Sequence, residues 1–181
     1  MSDGWSDHAA LERHLWDRLA CAVAEADDPW RFVTLATMAG TGPQARTVGL
    51  RGADRDARTV EIHTDARTPK VDELRADPRA QILLWDAATQ EQVRLSVTVT
   101  PVFADADRWA RVPEGSRGNY GTDPQPGTPI PGAAAYGRAG DPARFAALVG
   151  RVARMDAVLL ASDPHRRAVW TDGAGWAWVA P

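Results

Sequence analysis

The sequence predicts a mainly β fold, an antiparallel β-barrel with flanking α-helices. Three observations predict it. Roughly seven or eight short segments carry the apolar alternation or β-branched enrichment of strands. The loops joining the first three are too short for parallel crossovers, so those strands must run antiparallel. Helical periodicity is confined to a few short stretches that flank the strands.

In chain order, residues 1–28 hold an N-terminal helix, with Leu11, Leu15, Leu19, Ala22 and Val23 at three- and four-residue steps. Cys21 lies inside it and reads as a small, semi-buried side chain. Arg31 to Met38, Ala45 to Arg51 and Thr59 to Thr64 read as an antiparallel meander, turned at Gly40–Pro43 and at the polar stretch Ala53–Arg58. A short helix follows over Pro69 to Ala76. Thr68 is placed to cap it, and Pro69 sits where a missing N–H costs nothing. Ala80 to Trp85 and Gln92 to Thr100 are strands. In the second, Val93, Leu95, Val97 and Val99 share one face, and Gln92, Arg94, Ser96 and Thr98 the other. Ala104 to Arg111 reads as a helix. The Gly/Pro-rich loop 121–140 is too long for a simple turn. Asp141 and Pro142 then predict a new helix with Phe145, Leu148, Val149 and Val152 as its stripe. Strands at Ala157 to Ala161, Arg167 to Thr171 and Trp176 to Val179 finish the chain, and residues 1–181 read as a single domain.

Composition narrows the function. The 181 residues are 44% hydrophobic and 25% charged, ordinary for a folded protein. A net charge of −3 gives no support for nucleic-acid binding. No apolar stretch approaches the ~20 residues of a membrane span, and the first residues do not resemble a signal peptide. The single cysteine excludes an intrachain disulfide and a zinc cluster of CxxC type. A cytoplasmic location is expected.

The stretch Arg46 to Lys70 is the richest in chemistry. It holds Arg46, Arg51, Arg67 and Lys70 with hydroxyls at Thr47, Thr64 and Thr68. The helix start at Thr68-Pro69 offers free N–H groups and a positive dipole end, which suit an anion such as phosphate. From composition alone the same charges also read as a solvated surface paired with Asp65, Asp72 and Glu73. His63 shares a strand face with Glu61. The four histidines have no metal-ligand spacing, and Ser116 lacks the flanks of a nucleophile elbow. The eight tryptophans read as core or interface packing.

Six segments in order resemble the FMN-binding split barrels related to pyridoxamine 5′-phosphate oxidase. Arg46-Thr-Val-Gly-Leu-Arg51 is similar to the family strand R-x-V-x-L-K/R, and His63-Thr64-Asp65 to its aromatic-or-His, Thr, Asn-or-Asp. Arg67-Thr68-Pro69-Lys70 resembles its S/T-R-K phosphate segment; Asp77-Pro78-Arg79 and Glu91-Gln92-Val93-Arg94 follow in order. His165-Arg-Arg167-Ala-Val-Trp170, Gly175-Trp176 and Val179-Ala180-Pro181 resemble its ending. The resemblance spans roughly residues 30 to 181.

The resemblance implies a homodimer with FMN at the subunit interface and a flavin-dependent oxidoreductase of unknown small-molecule substrate. Arg46, Thr68 and Lys70 would hold the FMN phosphate. Arg51 and the backbone of Thr47, Val48 and Leu50 would lie near the ring, and His63 and Thr64 would line the pocket. Gln92, Gln125 and Arg167 match positions that contact FMN, some from the partner chain. Ser116 and His165 match substrate positions, and Arg51 and His165 are the candidates nearest the reacting face. Pro69 stands where the family has arginine, with Arg67 as a substitute. Val112 replaces an arginine of the vitamin enzyme's Arg-Pro-Arg-x-Ser stretch, and Asp163 another before His165. Those losses should disfavour pyridoxamine phosphate. The alternatives are pyridoxamine or pyridoxine 5′-phosphate oxidase itself, and a non-catalytic flavin or tetrapyrrole carrier.

Overall fold

A computed structural model describes residues 4–181. It opens with α1 (His8–Ala24), β1 (Phe32–Ala39), β2 (Gly42–Asp54), β3 (Thr59–Asp65), α2 (Pro69–Ala76), β4 (Arg79–Asp86) and β5 (Glu91–Phe103). Short helices α3 (Ala106–Arg111) and α4 (Glu114–Arg117) follow, then the two-residue strands β6 (Thr122–Asp123) and β7 (Gly137–Arg138). The long strand β8 (Phe145–Leu159), β9 (Arg166–Thr171) and β10 (Gly175–Trp178) end the chain.

Six strands close into a barrel. The hydrogen-bonded order is β8-β3-β2-β1-β4-β5, and β5 pairs back to β8. All pairs in the ring are antiparallel. The meander and the β4–β5 hairpin stand where the sequence predicts them, as does α2. Val33, Leu35, Leu50, Val60, Ile62, Ile82, Leu84, Leu95, Val97 and Met155 fill the interior. α1 lays Leu11, Leu15, Leu19 and Ala22 on this core. Asp7 caps it by accepting from the Ala10 N–H at 2.8 Å. Its polar side grips the β4–β5 hairpin. Arg18 meets Asp86 at 2.9 Å and His14 meets Glu91 at 2.9 Å.

Three local expectations need correction. Residues 145–152 are not helical; only a 3-10 turn, Pro142–Arg144, precedes a fifteen-residue strand. The run is apolar on both faces because both faces are buried. Leu148 and Val152 point into the barrel, while Phe145 and Ala147 join Val112 and Tyr120 on the outside. A doubly buried strand has no polar face to reveal its period of two. Thr68 holds the N-cap position of α2 without a side-chain capping bond. Its hydroxyl donates instead to the Asp65 carbonyl at 2.8 Å. Cys21 is exposed, one residue off the buried stripe of α1.

β8 is also where the barrel splits. Along one edge it pairs first with β3 (Phe145 to Arg151) and then with β9 (Arg154 to Leu159). The change falls at Ala153, a bulge where the register with β5 jumps from Ser96↔Arg154 to Val97↔Val152. At the base of the 121–140 loop the chain crosses itself closely. A Cβ on Gly121 would stand 1.8 Å from the Ala139 carbonyl oxygen, so only glycine fits.

Candidate functional site

Within one chain the expected site residues fall into three groups. The first lies where α2 covers one end of β1–β3. Arg46 pairs with Leu35 across the β1–β2 ladder, so its stem shares the core-facing side. Its guanidinium donates to Glu73 at 2.8 Å and to the Thr37 hydroxyl. Lys70, in the first turn of α2, donates to the Thr64 hydroxyl at 3.1 Å, and that oxygen lies 3.2 Å from the Thr68 hydroxyl. Burial, and then the positive charge of Arg46, pushes the Lys70 ammonium below its ordinary pKa. Two cations thus stand side by side with Glu73 as their shared carboxylate.

Arg67 is committed elsewhere. It grips buried Asp65 through two bonds of 3.0 and 2.7 Å and the Thr122 carbonyl at 2.8 Å. This ties the start of the 121–140 loop to the approach of α2. Gln125, farther along that loop, is exposed and lines a 560 Å³ cleft with Arg67, Pro69, Glu73 and Met38.

The second group lies on the outer face of β3. In the β2–β3 ladder Leu50 pairs with Ile62 and Gly52 with Glu61, so Arg51 is the extra residue of a bulge. The bulge re-aims its side chain. Arg51 donates to the Leu50 carbonyl at 2.9 Å, and its positive charge acts on the Tyr120 phenol. With Gly52, Glu61, His63, Arg31, Arg111, Ser116 and Tyr120 it lines a pocket of about 440 Å³. Leu50 is fully buried in the core, so only its backbone can face a ligand. Val48 is partly buried against the core, and Thr47 is exposed on the outside.

Around His63 the contacts are unusually complete. Its Nε2 lies 2.7 Å from Glu61 Oε1, and Glu61 Oε2 accepts from Arg108 Nε at 2.8 Å. Arg108 reaches on to Asp105 at 2.8 Å. The ring stands edge-on to Phe145, with centroids 4.8 Å apart. Burial would raise the Glu61 carboxyl, but hydrogen bonds from His63 and Arg108 outweigh it and hold it below its ordinary value. Burial raises the Tyr120 phenol, with Arg51 opposing.

The third group is on the far side of the barrel. Register places Phe32, Met38, Leu83, Trp85, Gln92, Arg94 and Arg167 on one outer face. Arg167 clamps Asp156 with two 3.0 Å bonds, and Arg94 meets the same carboxylate at 2.5 Å. Phe32 is 61% exposed, Met38 50% and Trp85 43%. His165 is exposed in the β8–β9 connection and does not line the pocket that holds Ser116. Arg31, Arg108 and Tyr120 escaped sequence reasoning. No spacing links them to β3, and only the fold brings them there.

Glu61, Glu73, Asp86 and Asp156 share an electrostatic pattern. In each, burial acts to raise the pKa, yet hydrogen bonds prevail and lower it, led by His63 and then Arg108 at Glu61, Thr37 and then Arg46 at Glu73, Arg18 at Asp86 and Arg167 at Asp156. A carboxylate whose folded pKa lies below its unfolded one stabilises the fold above the ordinary range near ~4, and that stability is lost as pH falls through the folded value. The thermal midpoint should therefore hold steady near neutrality and drop steeply below about pH 4. Asp156→Asn should flatten part of the drop; calorimetry across that range checks it.

Among the described residues no helix is long and apolar enough to cross a membrane. A pyridoxine/pyridoxamine 5′-phosphate oxidase of Synechocystis is 34% identical over 124 residues, 66% of this chain and 56% of that protein. The oxidase of Alkalilimnicola ehrlichii is 40% identical over 87 residues, 46% of this chain and 43% of that one. The chain spans about half the length of the curated relatives it matches. A crystal structure of a pyridoxamine 5′-phosphate oxidase-related, FMN-binding protein from Nostoc punctiforme superposes over all of both chains, with a TM-score of 0.74 and 25% identity. PhzG from Burkholderia lata shares the fold, with a TM-score of 0.65 and 21% identity over 96% of this chain and 91% of that one. The family model for the FMN-binding domain of pyridoxamine 5′-phosphate oxidase matches residues 12–102, from within α1 to the end of β5, which is half of the chain. The chain belongs to that family of FMN-binding split barrels.

Proposed function

We propose that the protein is an FMN-dependent oxidoreductase acting on a small organic molecule, as a cytoplasmic homodimer with the cofactor between subunits. The observation that carries this is the Arg46–Lys70 pair. Two adjacent cations, one with its pKa depressed by burial and by the other, are relieved by a bound anion, and the Thr64 and Thr68 hydroxyls stand beside them. The residues present therefore fit the phosphate of FMN. When bound, FMN supplies the capacity to take up a hydride or two electrons. Arg46, Lys70 and Thr68 hold its phosphate, while the β2 backbone from Thr47 to Leu50 flanks the ring. Gln92 and Arg167, remote from that pair in one chain, contribute from a second copy. The exposed Phe32, Met38 and Trp85 on the Gln92 face give the apolar surface through which two copies would pack. Arg51 holds an anionic substrate in the 440 Å³ pocket, with Ser116 beside it and the exposed His165 added from the partner.

A second reading, oxidation of pyridoxamine or pyridoxine 5′-phosphate, draws support from one observation. Arg31, Arg51 and Arg111 line the pocket together and restore positive charge that Val112 and Asp163 remove from the sequence pattern. The test is the visible spectrum of the purified protein, with the released chromophore weighed and the particle mass measured by light scattering. A flavin spectrum from FMN on a dimer is the expected result, followed by turnover assays with pyridoxamine 5′-phosphate. A colourless protein that takes up no added FMN overturns the reading.

A further inference from the structure

We propose that His63 is the proton acceptor of the 440 Å³ pocket, and that Glu61 and Arg108 are positioning residues that fix which ring nitrogen accepts. This deepens the substrate-site reading of that pocket and rests on it. The argument begins with Glu61. Its two oxygens are engaged by His63 at 2.7 Å and by Arg108 at 2.8 Å, and together these hold the carboxyl ionised. An ionised carboxylate can only accept hydrogen bonds. The hydrogen between Glu61 and His63 therefore belongs to the imidazole, on Nε2. In a neutral ring the lone pair is then on Nδ1, which carries no hydrogen bond among the described residues.

The ring cannot easily turn to exchange its nitrogens. Phe145 stands edge-on at 4.8 Å and Tyr120 at 6.5 Å. A Cβ at Gly52 would come within 3.0 Å of Glu61 Cβ, so the bare backbone there gives the carboxylate its room. The other groups facing the pocket are poorer proton acceptors. The guanidinium groups of Arg31, Arg51 and Arg111 offer donors and no acceptor, Tyr120 is pushed up by burial, and Glu61 is held down. Arg108 and Asp105 stand behind Glu61 and keep it anionic when the ring becomes positive.

The ligand that suits this arrangement is a small anion bearing an ionisable hydroxyl or ammonium. Its negative end meets Arg51 and Arg111, and its O–H or N–H meets Nδ1. In the step, that O–H or N–H bond breaks and an Nδ1–H bond forms. The electron pair stays on the ligand's oxygen or nitrogen, and the imidazolium is balanced by Glu61.

The test uses 15N NMR of the whole purified chain, with inorganic phosphate as the probe, since dihydrogen phosphate is both an anion and a hydroxyl acid. The neutral His63 ring should show a single tautomer with the proton on Nε2. Added phosphate should move the Nδ1 signal saturably towards its protonated position. Glu61→Gln should give mixed tautomers and lose the phosphate response, while the FMN spectrum is kept. Arg108→Gln, a gentler change that leaves Glu61 in place, should weaken the tautomer preference in the same direction. Arg111→Gln should keep the tautomer and lose the phosphate response. A proton found on Nδ1, or a phosphate titration that leaves Nδ1 unmoved, overturns the proposal and makes His63 a packing residue. Unchanged tautomers in both Glu61→Gln and Arg108→Gln overturn the positioning role. Loss of FMN alone, with the His63 response intact, counts against the flavin reading and not against this one.

Discussion

Lys70→Ala is expected to weaken FMN binding about 100-fold, or ~2–3 kcal/mol, the scale of a charge-assisted hydrogen bond to phosphate. Lys70 is the cleaner of the two cations to remove. Among the described residues it hydrogen-bonds only the Thr64 hydroxyl, which can turn to another acceptor or donor once the ammonium is gone. Relief of the Arg46–Lys70 repulsion should leave the apoprotein as stable as before or slightly more so. Arg46→Ala should cost a similar factor in affinity, but it also strands Glu73, which is bonded to both Arg46 and Thr37. A combined Arg46→Ala and Glu73→Gln variant separates the two effects. Fluorescence titration of the apoprotein with FMN measures the affinity, and thermal melting without FMN measures the stability. Full affinity in folded Lys70→Ala and Arg46→Ala variants would mean that the phosphate lies elsewhere.

Phe145→Ala should lower stability by about 3–5 kcal/mol, the range for deleting a fully buried aromatic ring. Phe145 is completely buried and meets His63, Trp109 and Tyr120 edge-on at 4.8, 5.7 and 5.4 Å. No single neighbour can swing into the gap, because each ring is held by other partners. His63 is tied to Glu61, and Trp109 lies under Arg117. Phe145→Leu, which keeps most of the volume, should cost less than half as much. Urea unfolding of the two variants gives the comparison. An Ala cost below about 1 kcal/mol would show that the cluster relaxes freely and does not hold the His63 ring.

Strand by strand, the fold was legible where one face is wet. β5 alternates Val93, Leu95, Val97, Val99 against polar neighbours, and its burial alternates in the same way. α2 carries both a proline at its start and Pro78 just beyond its end, so its limits could be read from punctuation alone. The first half of β8 carries the spacing of a helix because Phe145 to Gly150 are buried on both faces or nearly so, and spacing cannot separate such a strand from a helix. The Glu61–His63 pair was legible because residues two apart on a strand share a face. Arg108, forty-seven residues from Glu61, was not. The bulge that aims Arg51 leaves no mark in the sequence either, since it depends on how β2 registers against β3. The basic stretch gave the residue types of an anion site. It did not tell that Arg67 is spent on Asp65 while Lys70 is left beside Arg46.

The sharing of β8 among β3, β5 and β9 bears on how the chain is made. Every closing contact of the barrel waits for residues 145–159, which are made after the other five strands of the ring. Until they emerge, β3 and β5 each present a bare edge of unpaired N–H and C=O groups, and such edges recruit other chains. Premature termination anywhere before Phe145 should therefore yield an open, self-associating sheet, not a smaller stable barrel. The same late, long-range pairing makes folding slow for the chain's size, because the loop from β5 to β8 must be closed before any of its contacts form.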